Sequence, residues 1–487
     1  MMHLIPNPID YDISPSTGFV PEALPLDKLD DPYYSPWEVA IGDLPSLIMT
    51  RTIRMFVDSP AFPVLSIARL VDDRQRKHAH SILGFLAHAY IWAGPTPSDR
   101  LPPAIAEPLL ALSEILDLPP LATYAGLCLW NHRPLMTLAM AGQDMRPSGI
   151  SSADLDLSSL ATLHTFTGSI DESWFYLVST AIEIQGAPCI SLLIDAIHAC
   201  RNNSPHDAVV ALQHLAESID SLIPLLGRLS ENCDPHVFYY RIRPFLAGSE
   251  NMADAGLPHG VRYGNESRYR QYAGGSNAQS SLIQTLDIGL GITHRPTGSG
   301  SDSNILPPAP NFILEMRKYM PGPHRYFLQD LEQCANIREF VAEHKSSNSA
   351  LTLAYDACLA VLRAFRDKHI QIVSRYIILQ AKKTAPAPSS VQSAQPSSIQ
   401  SLKQRIGLAN ATKPTRGTGG TALLPFLKQA RDETGEPAAG SWAYRLLRDS
   451  DQTARKSRYT IDDDSDQVFG ISGQWSMDDD YGGICHW

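Results

Sequence analysis

Residues 351–382 read LTLAYDACLAVLRAFRDKHIQIVSRYIILQAK, and this stretch decides the fold class. Its apolar residues recur at steps of three and four, at Tyr355, Cys358, Leu359, Leu362, Phe365, Ile372, Val373 and Tyr376. That period predicts one long amphipathic helix with a single apolar stripe. His369 falls inside the stripe, between Phe365 and Ile372.

A lone histidine on an apolar stripe is usually a core residue whose ring is satisfied by its neighbours. Arg366 lies one turn before His369 on the same face, where it can meet the acid groups of a large anionic cofactor. A single neutral imidazole on a helix is also a standard ligand for a haem iron. His369 is therefore a candidate metal ligand, and core packing remains the alternative.

Helical patterns continue on both sides of this stretch, and strand-like alternation is rare, which predicts an all-α fold. Composition divides the chain further. An extended N-terminal arm is expected at 1–40 and a smaller N-terminal helical domain at 41–150. A large helical domain is expected at 151–432, with a flexible loop rich in Ala, Pro, Ser and Gln at 384–413. An acidic, disordered tail is expected at 433–487, and a short helical turn at Trp442–Leu447 is the alternative for that part of it.

Bulk properties exclude several classes of protein. A net charge of −11 argues against a nucleic-acid binder, which needs a basic face. The seven cysteines form no CxxC pair, and with no N-terminal signal sequence they indicate reduced thiols in a cytoplasmic protein. No run approaches eighteen uncharged apolar residues, so no membrane span is expected. Motifs for zinc peptidases, serine hydrolases, kinases and dinucleotide binding are missing.

Other stretches carry candidate chemistry. On a helix, Tyr239 and Arg243 are four residues apart, which suits a ligand with an aromatic body and a carboxylate. A core aromatic pair with a surface arginine is the alternative there. The small residues of Gly274–Ser281 allow a flat ligand to approach the backbone. Glu183 and Asp287 are candidate acids, although nothing in the sequence pairs them.

Together these stretches resemble the indoleamine 2,3-dioxygenase family. The resemblance covers roughly residues 30 to 432 and rests on four blocks in the family's order: Met316–Leu328, Gly274–Ser281, His369–Ile377 and Gly417–Thr421. It implies an all-helical fold in which a small N-terminal domain caps a large haem-binding domain. It also implies a reaction in which O₂ is inserted across the indole C2–C3 bond of L-tryptophan, giving N-formylkynurenine.

The resemblance assigns the cofactor residues by position. His369 is implied as the proximal ligand of the iron of haem b, and Arg366 as the partner of a haem propionate. Gly275 and Ser276 are implied along the haem edge. Asp287 is implied as an acid behind the cofactor.

The resemblance also assigns residues to substrate and catalysis. Phe238 and Tyr239 match two aromatic residues beside the indole, and Arg243 matches the arginine that holds the substrate carboxylate. Ser179 matches a serine above the haem. The resemblance also implies Tyr124 and Thr418 as substrate-binding residues, with Thr418 in the closing loop.

Tyr239 and Asn277 depart from the family's usual phenylalanine and small apolar residue. These departures keep open a haem-binding paralogue with weak tryptophan activity that acts as a sensor or on another indole. A haem-free helical interaction protein is a third hypothesis. The resemblance otherwise implies L-tryptophan and O₂ as substrates and a separate electron donor that reduces the haem. It also implies a cytoplasmic monomer that acts in the kynurenine pathway, either to supply NAD synthesis or to break down tryptophan. Neither nucleic acid nor a membrane is expected as a partner.

Overall fold

The computed structural model describes residues 3–135, 156–297, 311–383 and 423–448, and the backbone of two strands at 467–470 and 473–476. The flexible loop expected at 384–413 and the closing loop Gly417–Thr421, with Thr418, lie outside the described residues.

Helices dominate the described residues, and the prediction of an all-α fold is confirmed. The helices are α1 Ser35–Gly42, α2 Leu44–Met49, α3 Ile53–Val57, α4 Asp73–Trp92, α5 Pro103–Ile115, α6 Ile170–Gln185, α7 Ala187–Arg201, α8 Pro205–Asp220, α9 Leu222–Gly227, α10 Leu229–Asn232, α11 Pro235–Val237, α12 Ser281–Gly289, α13 Phe312–Arg317, α14 Gly322–Cys334, α15 Ile337–His344, α16 Ser349–Val373, α17 Leu379–Lys382, α18 Leu423–Thr434 and α19 Ser441–Arg448. The strands are short: β1 Arg100–Leu101, β2 Arg133–Pro134, β3 Leu160–Ala161, β4 Val261–Tyr263, β5 Tyr269–Arg270, β6 Gln467–Gly470 and β7 Gly473–Ser476. The first sheet has the order β1-β4-β5, and β2 pairs with β3 and β6 with β7.

The long helix predicted at 351–382 is confirmed as α16, a π-helical turn at Ser374–Ile378, and α17. It begins where the Asn348 side chain accepts a hydrogen bond from the backbone N–H of Leu351 at 3.0 Å. Its apolar stripe packs along α8, which in turn packs along α7. These helices share one continuous core with most of the described chain.

Both ends of the described chain are packed onto this core. Ile13 and Phe19 of the expected arm are buried, and the Tyr11 hydroxyl donates to Asp330 of α14 at 2.5 Å. At the other end, α18 runs to Thr434, and α19 buries Ala443. Helix therefore continues beyond the start expected for the acidic tail at 433, because α18 and α19 have apolar residues to bury. The division into domains stays a prediction.

Two stretches, Ile170–Arg201 and Pro205–Asn232, are long and apolar enough to cross a membrane by length and composition alone. The most apolar windows of these stretches are 72% and 39% buried inside the protein. The first is mostly buried, as a core helix is, and one or two such stretches are weak evidence for a membrane. The expectation of no membrane partner stays a prediction.

Candidate active site

Three π-helical turns contribute to one cavity of the described residues. The turns are Ala125–Leu129, Phe238–Ile242 and Ser374–Ile378. Each supplies side chains to the cavity wall, including Cys128, Phe238 and Tyr376. Because π turns are rare and concentrate at functional sites, their convergence marks this cavity as the candidate active site.

The cavity is mostly apolar. Its empty space is about 1880 Å³, counting the part that opens to solvent. Besides the three π turns, its wall comes from α6, α12, α16, α18 and the segment around residue 276. An apolar space with a few polar groups on its wall is the usual form of a site for a cofactor or a small molecule.

His369 of α16 lines this cavity. None of the described residues forms a hydrogen bond with either of its ring nitrogens, and the side chain is partly exposed toward the cavity. Burial, with a smaller contribution from the nearby Arg366 charge, lowers the pKa of His369 to about 4. The imidazole is therefore neutral at neutral pH and presents a nitrogen lone pair, as a metal ligand requires.

Arg366 is held inside the protein. Its Nη2 donates to both carboxylate oxygens of Asp287, at 2.6 and 2.7 Å. Its Nη1 donates to the Ala430 carbonyl at 2.8 Å and the Thr434 hydroxyl at 2.7 Å. Both Arg366 and Asp287 line the cavity. The geometry shows Arg366 bracing α12 and α18 against α16, and its pairing with an acid group of a cofactor stays a prediction.

The Asp287 carboxylate has a second partner, the ring Nε2 of His294 at 3.0 Å. Burial raises the pKa of Asp287, but the charges of Arg366 and His294 outweigh it, and the net pKa lies below the ordinary value. The pKa of His294 is raised, because Asp287 and Glu433 outweigh its own burial. Asp287 is thus a charged acid in the cavity wall.

The segment with Phe238, Tyr239 and Arg243 differs from the α-helix on which the spacing argument relied. It forms a π turn in which the backbone N–H of Arg243 donates to the Phe238 carbonyl, five residues back. Phe238 and Arg243 line the cavity as a result, while Tyr239 is not among the described residues that do. Tyr239 lies behind them, with the Arg243 guanidinium 5.2 Å from its ring centre. Its predicted contact with the indole stays a prediction.

Arg243 is 2% exposed, and burial lowers its pKa to about 10. It therefore remains a cation at neutral pH, in an apolar wall where a ligand carboxylate forms a strong charge-assisted pair. Arg241, its competitor in the sequence, is exposed. The structure therefore favours Arg243 for the role of holding an acid.

Ser179 and Tyr124 both line the cavity. Ser179 of α6 is 7% exposed, and its hydroxyl is 3.5 Å from the Phe175 carbonyl of the preceding turn. The Tyr124 hydroxyl donates to the Glu183 carboxylate at 3.0 Å. This wall therefore presents hydroxyl groups and an aromatic ring and, among the described lining residues, no second histidine.

The residues at 274–277 form a close-packed rim of the cavity. Gly275, Ser276 and Asn277 line the cavity. A Cβ atom on Gly275 would lie 2.7 Å from Leu127 Cδ1, and one on Gly274 would overlap the Leu246 carbonyl oxygen. Glycine is therefore required by space at 274, where the added atom would meet backbone, whereas at 275 it would meet the end of the flexible Leu127 side chain.

Glu183 is the residue whose partners the sequence did not reveal. It is buried beside the cavity, where Tyr124 and Ser280 bind it from two different segments. Its position four residues after Ser179, on the same face of α6, was the available signal. Side chains of α18, such as Phe426, were also missed as lining residues, because they lie far from α16 in sequence.

The fold and the site define a class: an all-helical protein whose apolar cavity presents a neutral histidine, suited to a metal, and a buried arginine, suited to a small acid. The sequence model described as IDO: Indoleamine 2,3-dioxygenase matches residues 7–437. The chain belongs to the indoleamine 2,3-dioxygenase family.

Individual relatives cover most of the chain. It is 45% identical to indoleamine 2,3-dioxygenase of Saccharomyces cerevisiae over 433 residues, 87% of this chain and 92% of the relative. It is 35% identical to 6-hydroxytryptophan 2,3-dioxygenase of Fusarium equiseti over 91% of this chain and 100% of the relative. It is 32% identical to human indoleamine 2,3-dioxygenase 2 over 87% of this chain and 93% of the relative.

Proposed function

We propose that this chain is a haem-dependent dioxygenase that cleaves the indole C2–C3 bond of L-tryptophan with O₂ to give N-formylkynurenine. Membership of the family supports the reaction. The observation that carries the assignment to this cavity is that neutral His369 and buried Arg243 line the same apolar space. One can serve a metal and the other an amino-acid carboxylate.

The residues present fit haem b. His369 offers an imidazole that is neutral and has no hydrogen-bond partner among the described residues, which suits an iron ligand. Gly275 and Ser276 line the same cavity, and the missing side chain at Gly275 allows the edge of a flat macrocycle to approach the backbone. A bound haem supplies the activation of O₂, which no side chain of the protein can provide.

The chain's own residues bind and orient the substrate. Arg243 is expected to pair with the carboxylate of L-tryptophan, and Phe238 to pack against its indole. Ser179 and Tyr124 close the wall on the side of α6. The apolar lining excludes water, which strengthens the carboxylate pair and protects reactive oxygen from side reactions. Positioning is thus the protein's main contribution to the rate.

An optical titration tests this function. Purified protein supplied with haem should show a Soret band, which L-tryptophan should perturb as it enters the same cavity. With ascorbate and a redox mediator, the sample should then form N-formylkynurenine. A haem-loaded sample that yields no product would contradict the proposal. Protein that takes up no haem would favour a helical interaction protein.

A second candidate is a related enzyme acting on another indole, with weak tryptophan activity. The 35% identical relative from Fusarium equiseti is named for 6-hydroxytryptophan. Polar residues in this chain's lining, Asn277 and Ser280, offer hydrogen bonds to a ring hydroxyl. The kcat/KM for L-tryptophan divided by that for 6-hydroxytryptophan decides between the two candidate functions. A tryptophan dioxygenase predicts a ratio above one, and an enzyme for another indole predicts a ratio below one.

We also propose a cytoplasmic monomer that takes electrons from a separate donor and feeds the kynurenine pathway toward NAD. The six cysteines within the described residues are free and buried, which agrees with a reducing compartment. Light scattering and fractionation of cells test the monomer and its location.

A further inference from the structure

Glu183 joins two walls of the cavity. It lies on α6, is 1% exposed, and comes one turn after Ser179. Its Oε1 accepts hydrogen bonds from the Tyr124 hydroxyl at 3.0 Å and the Ser280 hydroxyl at 2.6 Å. Tyr124 precedes the first π turn and Ser280 caps α12, and both side chains line the cavity. A single oxygen thus sets the spacing of two wall segments far apart in sequence.

The Gln279 side chain also holds the Tyr124 segment in place, through hydrogen bonds to the backbone. Gln279 accepts from the backbone N–H of Tyr124 at 3.0 Å and donates to the Gly274 carbonyl at 2.9 Å. The Tyr124 segment is therefore tied to the small-residue rim as well as to Ser280. The other carboxylate oxygen of Glu183, Oε2, is buried without a hydrogen-bond partner among the described residues.

An unpartnered buried oxygen suits a neutral carboxyl group better than a carboxylate, because a buried charge needs partners on both oxygens. We propose that Glu183 is a positioning residue for substrate binding: its neutral form holds Tyr124 and Ser280 in a dry wall beside the indole, and its ionisation leaves a buried charge on Oε2, which draws water into that wall. This inference rests on the proposed function, since it concerns the same cavity.

The titration of Glu183 falls in the neutral range. Burial raises the pKa of Glu183 to about 7, against the opposing effect of hydrogen bonds from Ser280 and Tyr124. Burial also raises the pKa of Tyr124 and of Cys128 on the facing segment, so both stay neutral. The other ionisable groups of the surrounding elements include Asp171, Glu172 and Tyr176 on α6, with the pKa values of Glu172 and Tyr176 also raised, and Asp287, Arg243, Arg366 and His369 around the cavity.

His294, beyond Asp287, also has a raised pKa and must be separated from Glu183 in any pH profile. Glu183→Gln does this, because it keeps an acceptor oxygen for Tyr124 and Ser280 and cannot ionise. Glu183→Leu removes the acceptor at every pH. Asp356→Asn is the matched control: Asp356 is a buried acid of α16 with a raised pKa, but it caps the backbone N–H groups of residues 439 and 440 and does not line the cavity.

The test measures KM and kcat for L-tryptophan with the haem-loaded full chain above and below pH 7. In the wild type, KM should rise several-fold as the pH increases through this range, with a smaller change in kcat. Glu183→Gln should show a low KM without this dependence. Glu183→Leu should raise KM about tenfold throughout, as expected for two lost hydrogen bonds. Asp356→Asn should behave like the wild type.

Infrared difference spectroscopy gives a readout apart from activity. The wild type minus Glu183→Gln spectrum should contain the carbonyl band of a neutral carboxylic acid below pH 7, and the band should fade above it. A flat wild-type KM, an unchanged pH dependence in Glu183→Gln, or the absence of this band would overturn the proposal. A wild type that makes no product would instead overturn the proposed function, and the infrared band would still decide the state of Glu183.

Discussion

At the scale of single residues, burial alone does not distinguish His369. Burial also lowers the pKa values of His80 and His88 to about 4. Their rings, however, are engaged in the core: His80 lies 3.2 Å from the Ser113 hydroxyl, and His88 lies 2.6 Å from the Phe245 carbonyl. His369 differs because it lines the cavity and none of the described residues forms a hydrogen bond with its ring. That combination is what a ligand histidine needs.

Replacement of His369 by alanine is expected to abolish the Soret band of the reconstituted protein, because the proposed iron ligand is lost. Activity should fall to background at the same time. Absorption spectra of protein purified with haem measure this directly. His214→Ala, at an exposed position of α8, is the control and should bind haem normally. A normal spectrum for His369→Ala would show that another residue holds the cofactor.

Replacement of Arg243 by alanine is expected to weaken L-tryptophan binding by about 1.5–3 kcal/mol, since a charge-assisted pair is lost. This corresponds to roughly 10- to 150-fold in Kd. A spectral titration measures Kd without turnover. Arg241→Ala, two residues away and exposed, should leave Kd unchanged. Equal effects of the two substitutions would exclude a specific role for Arg243.

At the scale of elements, the sequence predicted what depends on regular periodicity. The helix at 351–382 was visible because its apolar stripe follows a period of 3.6 residues. The π turns were not visible, since one extra residue per turn leaves no composition signal. The turn at Phe238–Ile242 therefore changed the pair that faces the cavity from Tyr239 and Arg243 to Phe238 and Arg243.

The rim segment gives an element-scale prediction. Gly274→Ala should destabilise the fold by about 1–3 kcal/mol, because the added methyl group overlaps the backbone of Leu246 and Gly248. Gly42→Ala at the end of α1 is the matched control, since a Cβ there meets nothing within 4 Å. Denaturant unfolding measures both variants. Equal free energies of unfolding for Gly274→Ala and Gly42→Ala would show that the rim can move to accommodate the methyl group, and would contradict the prediction.

At the scale of the whole molecule, the cavity depends on contacts between distant parts of the chain. Asp287 of α12, Arg366 of α16 and Thr434 of α18 are bound together through one guanidinium. Arg366 and Asp287 are separate candidates in the sequence, and their pairing was not predictable, because nothing local in the sequence records a contact across 79 residues. The same holds for Glu183 and its partners.

Asp287→Asn is expected to cost about 3–5 kcal/mol of stability near neutral pH, because Arg366 loses its buried partner. The contribution of Asp287 to the free energy of unfolding is fully present above the pKa of the unfolded state, 3.8. It is lost as the pH falls through the lowered pKa of Asp287 in the folded state. The contribution of His294 to the free energy of unfolding is fully present below the pKa of the unfolded state, 6.5. It is lost as the pH rises through the raised pKa of His294 in the folded state. Denaturant unfolding across pH should therefore show the largest difference in stability between the wild type and Asp287→Asn at pH values between these limits. A constant difference would contradict the electrostatic origin.

The most direct test of the central claim is the fate of oxygen in the product. Haem-loaded protein, L-tryptophan, a reductant and ¹⁸O₂ should give N-formylkynurenine that carries two labelled oxygen atoms by mass spectrometry. A haem-loaded sample that gives no N-formylkynurenine, or a product whose oxygen comes from water, would contradict the assignment of this chain as a tryptophan-cleaving dioxygenase.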